Sequence, residues 1–316
     1  MLKILMLAVA LLLGGPALAA LPGPLVEADW LDRHLARDDL VILDIRSRID
    51  DGDRLGFEEA RIPGSRHSSY IEDGWRENRG GVTGLLPAVA SLEALIGGLG
   101  IDNASQVVIV PAGTGPTDFG SAARVYWTFK VLGHDAVAIL DGGFAGWRQQ
   151  GLPMASGPAE PVPAAGFRAT LREALVATTE QVETARHTQA QLVDARPRDY
   201  FLGDTVSPAV RVAGTIPGAR SLPHHAHLND RQGAYYLAAQ GLSERIDAAG
   251  LDRGARTIAF CNTGHWAATD WFVLSEVAGF EEVALYDGSM AEWTLDEARP
   301  VQLIREGLRR VGELLE

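Results

Sequence analysis

Short apolar runs alternate along this chain with longer stretches of helical periodicity. In the first half the runs are Leu40–Leu43, Val107–Val110 and Ala136–Leu140. In the second they are Gln191–Val193, Thr257–Phe260 and Val283–Leu285. Between them, Ser91–Gly98, Arg124–Leu132 and Thr269–Ala278 place apolar residues at helical spacing. Continuous apolar strands, rather than alternating ones, predict strands buried on both faces. Interleaved with helices they predict a mainly parallel sheet covered on both sides, an α/β architecture. Ligands of such sheets bind beyond the C-terminal ends of the strands.

The pattern occurs twice. Leu43-Asp44-Ile45-Arg46 returns as Val193-Asp194-Ala195-Arg196, 150 residues on. Ile62-Pro63-Gly64-Ser65-Arg66 returns as Ile216-Pro217-Gly218-Ala219-Arg220, at an offset of 154. Asp141-Gly142-Gly143 and Trp147 return as Asp287-Gly288-Ser289 and Trp293, both at 146. Anchors in one order at nearly constant offset mark a duplication and hence two similar domains. Residues 153–163 hold Pro153, Gly157, Pro158, Pro161 and Pro163, the composition of a linker. Thr178 to Gln181 has the form of a capping box ahead of a helical pattern. The expected domains are 24–152 and 164–316.

Cys261 is the single cysteine. It ends the run Thr257–Phe260 and precedes a turn, Asn262-Thr263-Gly264-His265, and a helical pattern over 266–278 with Trp271, Leu274, Val277 and Ala278 on one side. A free cysteine is commonly just a small buried hydrophobe. At a strand end facing backbone N–H groups and a helix N-terminus, its anion is stabilised and the thiol becomes chemically useful.

Composition bounds the rest. The chain has 316 residues, 47% apolar and 22% charged, as in ordinary globular domains. Its net charge of −13 argues against nucleic acid or an anionic membrane as partner. A small anionic substrate in a local pocket stays open. Residues 1–20 look like a secretory signal: Lys3, an apolar core from Ile4 to Leu13 too short to span a bilayer, and Ala17-Leu18-Ala19 as a cleavage site. The expected mature protein begins near Ala20, has no membrane span and is periplasmic or secreted. One cysteine permits neither an internal disulfide nor a cysteine-rich zinc site. In an oxidising compartment a lone thiol needs either burial or chemistry to explain it.

The order of motifs resembles the tandem-domain rhodaneses, or sulfurtransferases, of the thiosulfate and 3-mercaptopyruvate kinds. The resemblance rests on Asp194-Ala195-Arg196, Ile216-Pro217-Gly218-Ala219, Cys261 and the segment Asp287-Gly288-Ser289-Met290-Ala291-Glu292-Trp293. Gly133-His134 and Leu140-Asp141-Gly142-Gly143 look like the matching part of the first domain. It implies two rhodanese-like domains, of which only the second is catalytic: where that one has Phe260-Cys261, the first has Val110-Pro111 and a longer loop, Ala112 to Ser121. Domain one would then be scaffold and one wall of an interdomain cleft, with Phe119 either lining it or simply packed. The resemblance also implies that Cys261 takes a sulfane sulfur from a small anionic donor, forms a persulfide and yields it to cyanide or a thiol. No cofactor is implied. Backbone N–H groups from Asn262 to Ala267, together with Thr263, Gly264, His265 and Trp266 themselves, would form the sulfur and donor site. Gly264 allows the backbone turn that such a nest requires.

The loop departs from the best-known members. Thiosulfate-preferring relatives carry a basic residue after the cysteine, and mercaptopyruvate-preferring ones carry Gly there and a hydroxyl residue at the sixth loop position. This chain has Asn262 and Trp266. The donor-binding arginine of thiosulfate enzymes falls at Tyr200, with Arg198 two residues away as a substitute or a plain surface charge. His265 either supports the thiolate or meets an anionic donor, or else faces solvent and leaves only its backbone N–H in the nest; Trp266 either closes the cleft or packs the helix start, and Arg196 is expected to be a structural ion-pair partner. His224-His225-x-His227 invites a metal reading, but no familiar ligand set completes it, so none is expected. Asp50-Asp51-Gly52-Asp53 resembles part of a calcium loop but lacks the closing Glu, so a solvated turn is expected.

Three rivals remain. A cysteine phosphatase needs Cys-x5-Arg, and that position is Ala267. A periplasmic persulfide relay to a protein partner would share Cys261 and its nest, differing only in acceptor. A binding protein with an incidental thiol would have no use for the nest.

Overall fold

The structure is a computed structural model that describes residues 20–51 and 56–305. Of the proposed leader, residues 1–20, all but Ala20 lie outside the described residues.

The first half supplies β1 (Leu25–Val26), β2 (Leu40–Asp44), β3 (Arg66–His67), a hairpin of β4 (Glu77–Arg79) and β5 (Val82–Leu85), β6 (Gln106–Val110) and β7 (Val137–Leu140). Its helices are α1 (Ala28–Asp32), α2 (Val89–Gly98), α3 (Pro116–Val131) and α4 (Gly143–Gln149). The second half repeats the plan with β8 (Gln191–Asp194), β9 (Arg220–Ser221), a hairpin of β10 (Leu228–Arg231) and β11 (Ala234–Leu237), β12 (Thr257–Phe260) and β13 (Val283–Leu285). Its helices are α5 (Thr179–Ala185), α6 (Arg198–Leu202), α7 (Leu242–Ala248), α8 (His265–Phe272) and α9 (Ser289–Trp293).

The two main sheets are parallel and have the same order, β1-β7-β6-β2-β3 and β13-β12-β8-β9. The partner that β1 gives the first sheet survives in the second as a single parallel bridge, Val176 to Leu285. β6 and β12, the central strands, are fully buried. This is the doubly covered α/β architecture that the apolar runs predict.

The repeated motifs do the same work in each half. Arg46 donates to the carboxylate of Asp44 and Arg196 to that of Asp194, all four residues buried. Trp147 Nε1 donates to Pro153 O, and Trp293 Nε1 to Pro300 O, closing each domain's last helix onto the chain that follows. Thr178 and Gln181 form the expected capping box on α5.

Two helices differ from their predicted extents. α3 begins at Pro116, eight residues before Arg124, because its first turns are polar and small (Thr117, Asp118, Gly120, Ser121) and carry no apolar stripe. Pro116 at the first helical position is nonetheless a start signal. α8 begins at His265 and passes at Val273 into a π-helical turn, 273–277, closed by Ala278 N–H to Val273 O.

α3 and α8 follow the equivalent central strands and pack against each other. Phe119 and Tyr126 of α3 meet Phe272 edge-on at centroid distances of 5.9 and 4.9 Å. Such pairs add about 0.5–1.5 kcal/mol each beyond area burial. Tyr126 OH donates to Glu276 at 2.6 Å. A single apolar cluster runs through both halves across this contact, and it brings α3 against the turn that follows Cys261.

Candidate functional site

Cys261 stands immediately after β12, fully buried, at the mouth of the turn into α8. One residue holds that turn. Ser289 Oγ accepts the N–H groups of Cys261 and Gly264, both at 3.0 Å, and donates to Tyr286 O. Ser289 sits at φ +50°, a left-handed conformation that costs a non-glycine residue roughly 1–2 kcal/mol. Met290 and Ala291 donate their N–H groups to the carbonyls of Cys261 and Asn262, so the start of α9 grips the loop from the other side. Gly264 has φ +72°, and a Cβ there would lie 2.5 Å from both Asp287 O and Arg124 Nη1. Only glycine fits. The expected nest is therefore smaller than 262–267, because the Gly264 amide is committed to Ser289. At the start of α8, the first N–H groups have no carbonyl within the helix and carry the positive end of its dipole.

His265 is not at the solvent and does not support the thiol. Its Nε2 lies 2.8 Å from Thr117 O and its Nδ1 2.8 Å from Tyr70 OH. A carbonyl can only accept, so Nε2 carries the proton and Nδ1 accepts from the tyrosine. Both partners belong to the first half of the chain. Burial, and then the charge of Arg76, push the imidazole down to about 3, so it is neutral at physiological pH. Trp266 stacks on His224 at 4.7 Å, meets Tyr200 edge-on and points its Nε1 at Thr117 Oγ1. It forms one side of a cavity of about 460 Å³ whose walls include Asp50, Asp51, Thr117, His225 and Tyr235.

One arginine of the other domain reaches this loop, and a second lies near it. Arg124, on α3 and wholly buried, donates to Gly264 O and Gly84 O at 3.0 Å and lies 3.4 Å from the Asp287 carboxylate. Asp287 in turn accepts the Leu86 N–H at 2.6 Å. Arg76, half-buried, lies 4.7 Å over the Tyr70 ring. A Cβ on Gly84 would be 2.8 Å from Thr263 O and 3.6 Å from Arg76 Nη1, which places the β4–β5 hairpin directly against the cysteine loop.

The Rhodanese-like domain family model matches residues 27–150 and 178–296. The chain belongs to the rhodanese-like family. It is 31% identical to human 3-mercaptopyruvate sulfurtransferase over 92% of this chain and 90% of that one. It is 33% identical to bovine thiosulfate sulfurtransferase over 80% and 84%. Among solved structures it is similar to SseA from Escherichia coli, described as a 3-mercaptopyruvate sulfotransferase of the rhodanese fold, at 25% identity and TM-score 0.72, covering 84% of this chain and 98% of that one. This chain is a tandem rhodanese-like sulfurtransferase, an enzyme of two similar domains.

In this rhodanese-like pair, Asn262, Thr263, Gly264, His265, Trp266 and Ala267 all lie on the turn and first helical turn after Cys261. Arg196 is the structural partner expected of it, with Nη1 also 3.5 Å from Asn262 Oδ1. Arg198 is exposed at the start of α6 and, among the described residues, shows no contact with the loop. Phe119 is packed. Of the histidine triplet, His224 backs Trp266, His225 is exposed, and His227 is buried 3.4 Å from Asp270. Asp50 caps α3 by accepting the Thr117 and Asp118 amides.

Sequence reading missed Ser289 as the loop's anchor, and missed Tyr70, Arg76 and Arg124 altogether. Ser289 left a trace: it replaces the second glycine of Asp141-Gly142-Gly143 in the repeat. The other three come from the far domain, and no local pattern announces them.

Proposed function

We propose that Cys261 is the sulfur-carrying nucleophile. The Cys261 thiolate attacks the outer sulfur of a small anionic donor. With thiosulfate, the new bond is Cys261 Sγ–S, the donor's S–S bond breaks, and sulfite leaves with the electron pair. The protein is left as a persulfide anion. A thiophilic acceptor, cyanide or a thiolate, then attacks the outer sulfur, and the Cys261 thiolate departs. Splitting the transfer in two replaces one difficult encounter by two displacements at sulfur. The observation that carries this reading is the position of Cys261: it follows the central strand directly, in a turn that Ser289 pins through the Cys261 and Gly264 N–H groups and that leads straight into α8. The N-terminal end of a helix favours an anion both before and after loading. The relatives act on thiosulfate or 3-mercaptopyruvate by their names; with 3-mercaptopyruvate the attack would break the donor's C–S bond instead, and pyruvate would leave as its enolate and take up a proton.

Cys261→Ser removes the nucleophile and keeps the size of the side chain. The expected outcome is loss of thiosulfate-to-cyanide turnover by at least about a thousandfold, with the unfolding midpoint in urea changed little. Turnover retained in that variant contradicts the mechanism.

We further place the mature enzyme outside the cytoplasm. The basis is the Lys3, apolar core and Ala17-Leu18-Ala19 pattern. N-terminal sequencing of the protein from the periplasmic fraction should begin near Ala20.

A further inference from the structure

A donor such as thiosulfate brings two negative charges to a thiolate, so the approach must be met by a cation. Cys261 to Glu297 holds no Lys or Arg, and of the second-domain arginines nearby one is engaged and the other is exposed. Arg196 is committed to Asp194 and Gly214 O, and Arg198 is exposed on α6. Arg124 reaches the loop from domain one, but its two terminal nitrogens are spent on Gly264 O, Gly84 O and Asp287.

Arg76 is different. Among the described residues it has no carboxylate and no hydrogen-bond partner, and its Nε is buried without one. Its guanidinium lies over the face of Tyr70, whose hydroxyl is bonded to His265 at the start of α8. Its Nη1 lies near the point where Gly84 passes Thr263 O, beside the cysteine turn. The side chain is half-buried, so one edge of the guanidinium stays open to an arriving solute. Its charge is felt at Tyr70 and His265, the residues that frame the loop. A guanidinium held on an aromatic ring with free donors suits an oxyanion, which it can grip with two parallel bonds.

We propose that Arg76, from the domain without a cysteine, binds the anionic end of the sulfur donor and directs its outer sulfur to Cys261. This rests on the reading of Cys261 as the nucleophile, and it assigns donor recognition to the opposite domain. The catalytic half would supply the sulfur site, and the other half the charge that selects its substrate. Arg76 lies just ahead of the β4–β5 hairpin, which packs on α9 through Val82, Leu85 and Ala291, so the cation is carried on a segment fixed to both domains.

The test uses the full chain with Arg76→Gln and Arg76→Lys. Cys261 is first alkylated with iodoacetamide, which is neutral, and with iodoacetate, which is an anion. Arg76→Gln should lower the iodoacetate rate about tenfold relative to the iodoacetamide rate, the size of a lost charge-assisted contact, and Arg76→Lys should recover most of it. In thiosulfate turnover the same Gln variant should raise KM by a similar factor with kcat changed far less. An unchanged rate ratio, or an equal fall for both reagents, overturns the proposal, because a merely structural residue would disturb the loop without regard to reagent charge. If the wild-type protein fails to turn over any donor, the reading of Cys261 fails, while the alkylation ratio still decides on Arg76.

Discussion

After β6 the chain enters a loop whose Ala112 and Gly113 amides donate to the buried carboxyl of Asp118. After β12, at the equivalent place, the Cys261 and Gly264 amides donate to Ser289, and the turn carries a thiol. One ancestral feature, a strand end with inward-facing N–H groups, has thus been settled in two ways. In the first domain a fixed acidic side chain occupies the amides permanently. In the second a neutral hydroxyl accepts from the turn, and on the proposed mechanism the helix start is where the anionic sulfur is met. On the proposed mechanism, the loop that carries the thiol is the reaction site. The other loop becomes scaffold, and its helix α3 becomes the wall against which α8 is set.

The largest expected effect comes from undoing the second solution. Ser289→Gly relieves the left-handed backbone but leaves the Cys261 and Gly264 amides without their acceptor. A lost buried hydrogen bond of this kind costs roughly 1–3 kcal/mol. We expect sulfur transfer to fall about 10- to 100-fold, out of proportion to the loss of stability, because the turn that aims the thiol is released. Steady-state turnover beside urea unfolding checks it, and a fall in stability with unaltered turnover would mean that Ser289 only supports the fold.

Undoing the first solution should touch stability and leave chemistry alone. Burial raises the Asp118 carboxyl from 3.8 to about 7, against the pull of the Gly113 and Ala112 amides. A carboxyl whose folded value is raised contributes stability that is present below its unfolded value and lost as pH rises through the folded one. Relative to Asp118→Asn, the wild-type protein should therefore lose about 1.4 kcal/mol per pH unit between those two values. The unfolding free energies of the pair, measured from pH 4 to 7, give the slope directly. Parallel curves would mean that the carboxyl is not buried as described.

His265 makes the mirror-image case in the second loop. Its folded value, about 3, lies below the ordinary 6.5. Its contribution is thus present above 6.5 and lost as pH falls toward 3, because the unfolded chain takes the proton first. Compared with His265→Asn, wild type should lose about 1.4 kcal/mol per unit on that descent. In the wild-type protein the Asp118 and His265 slopes oppose each other across mildly acidic pH, so the variants are needed to see either. Between pH 5 and 8 the imidazole signal of His265 should not titrate by NMR.

Much of this was legible in the chain itself. The strands Thr257–Phe260 and Val283–Leu285 have the extents their apolar runs predict, because buried parallel strands write themselves as unbroken apolar segments. The duplication was visible because Asp44/Arg46 and Asp194/Arg196 make the same buried pair in both halves. Cys261 stood out because nothing else in the sequence shares its chemistry. What escaped was everything built across the domain contact. Tyr70 meets His265 across 195 positions and Arg124 meets Gly264 across 140. Such contacts depend on how α3 and α8 pack, and periodicity within either helix says nothing of that. The early start of α3 escaped for a related reason: its first turns face the other domain's loop through small and polar residues such as Gly120, where a Cβ would lie 3.0 Å from His265 Nε2.

The central claim is that Cys261 carries the sulfur. It is tested most directly by the intact mass of the purified protein before and after thiosulfate, and again after cyanide. The account predicts a gain of one sulfur atom, located on Cys261 by peptide mapping, which cyanide removes. A protein that turns over thiosulfate or 3-mercaptopyruvate without ever holding sulfur on Cys261 would contradict it.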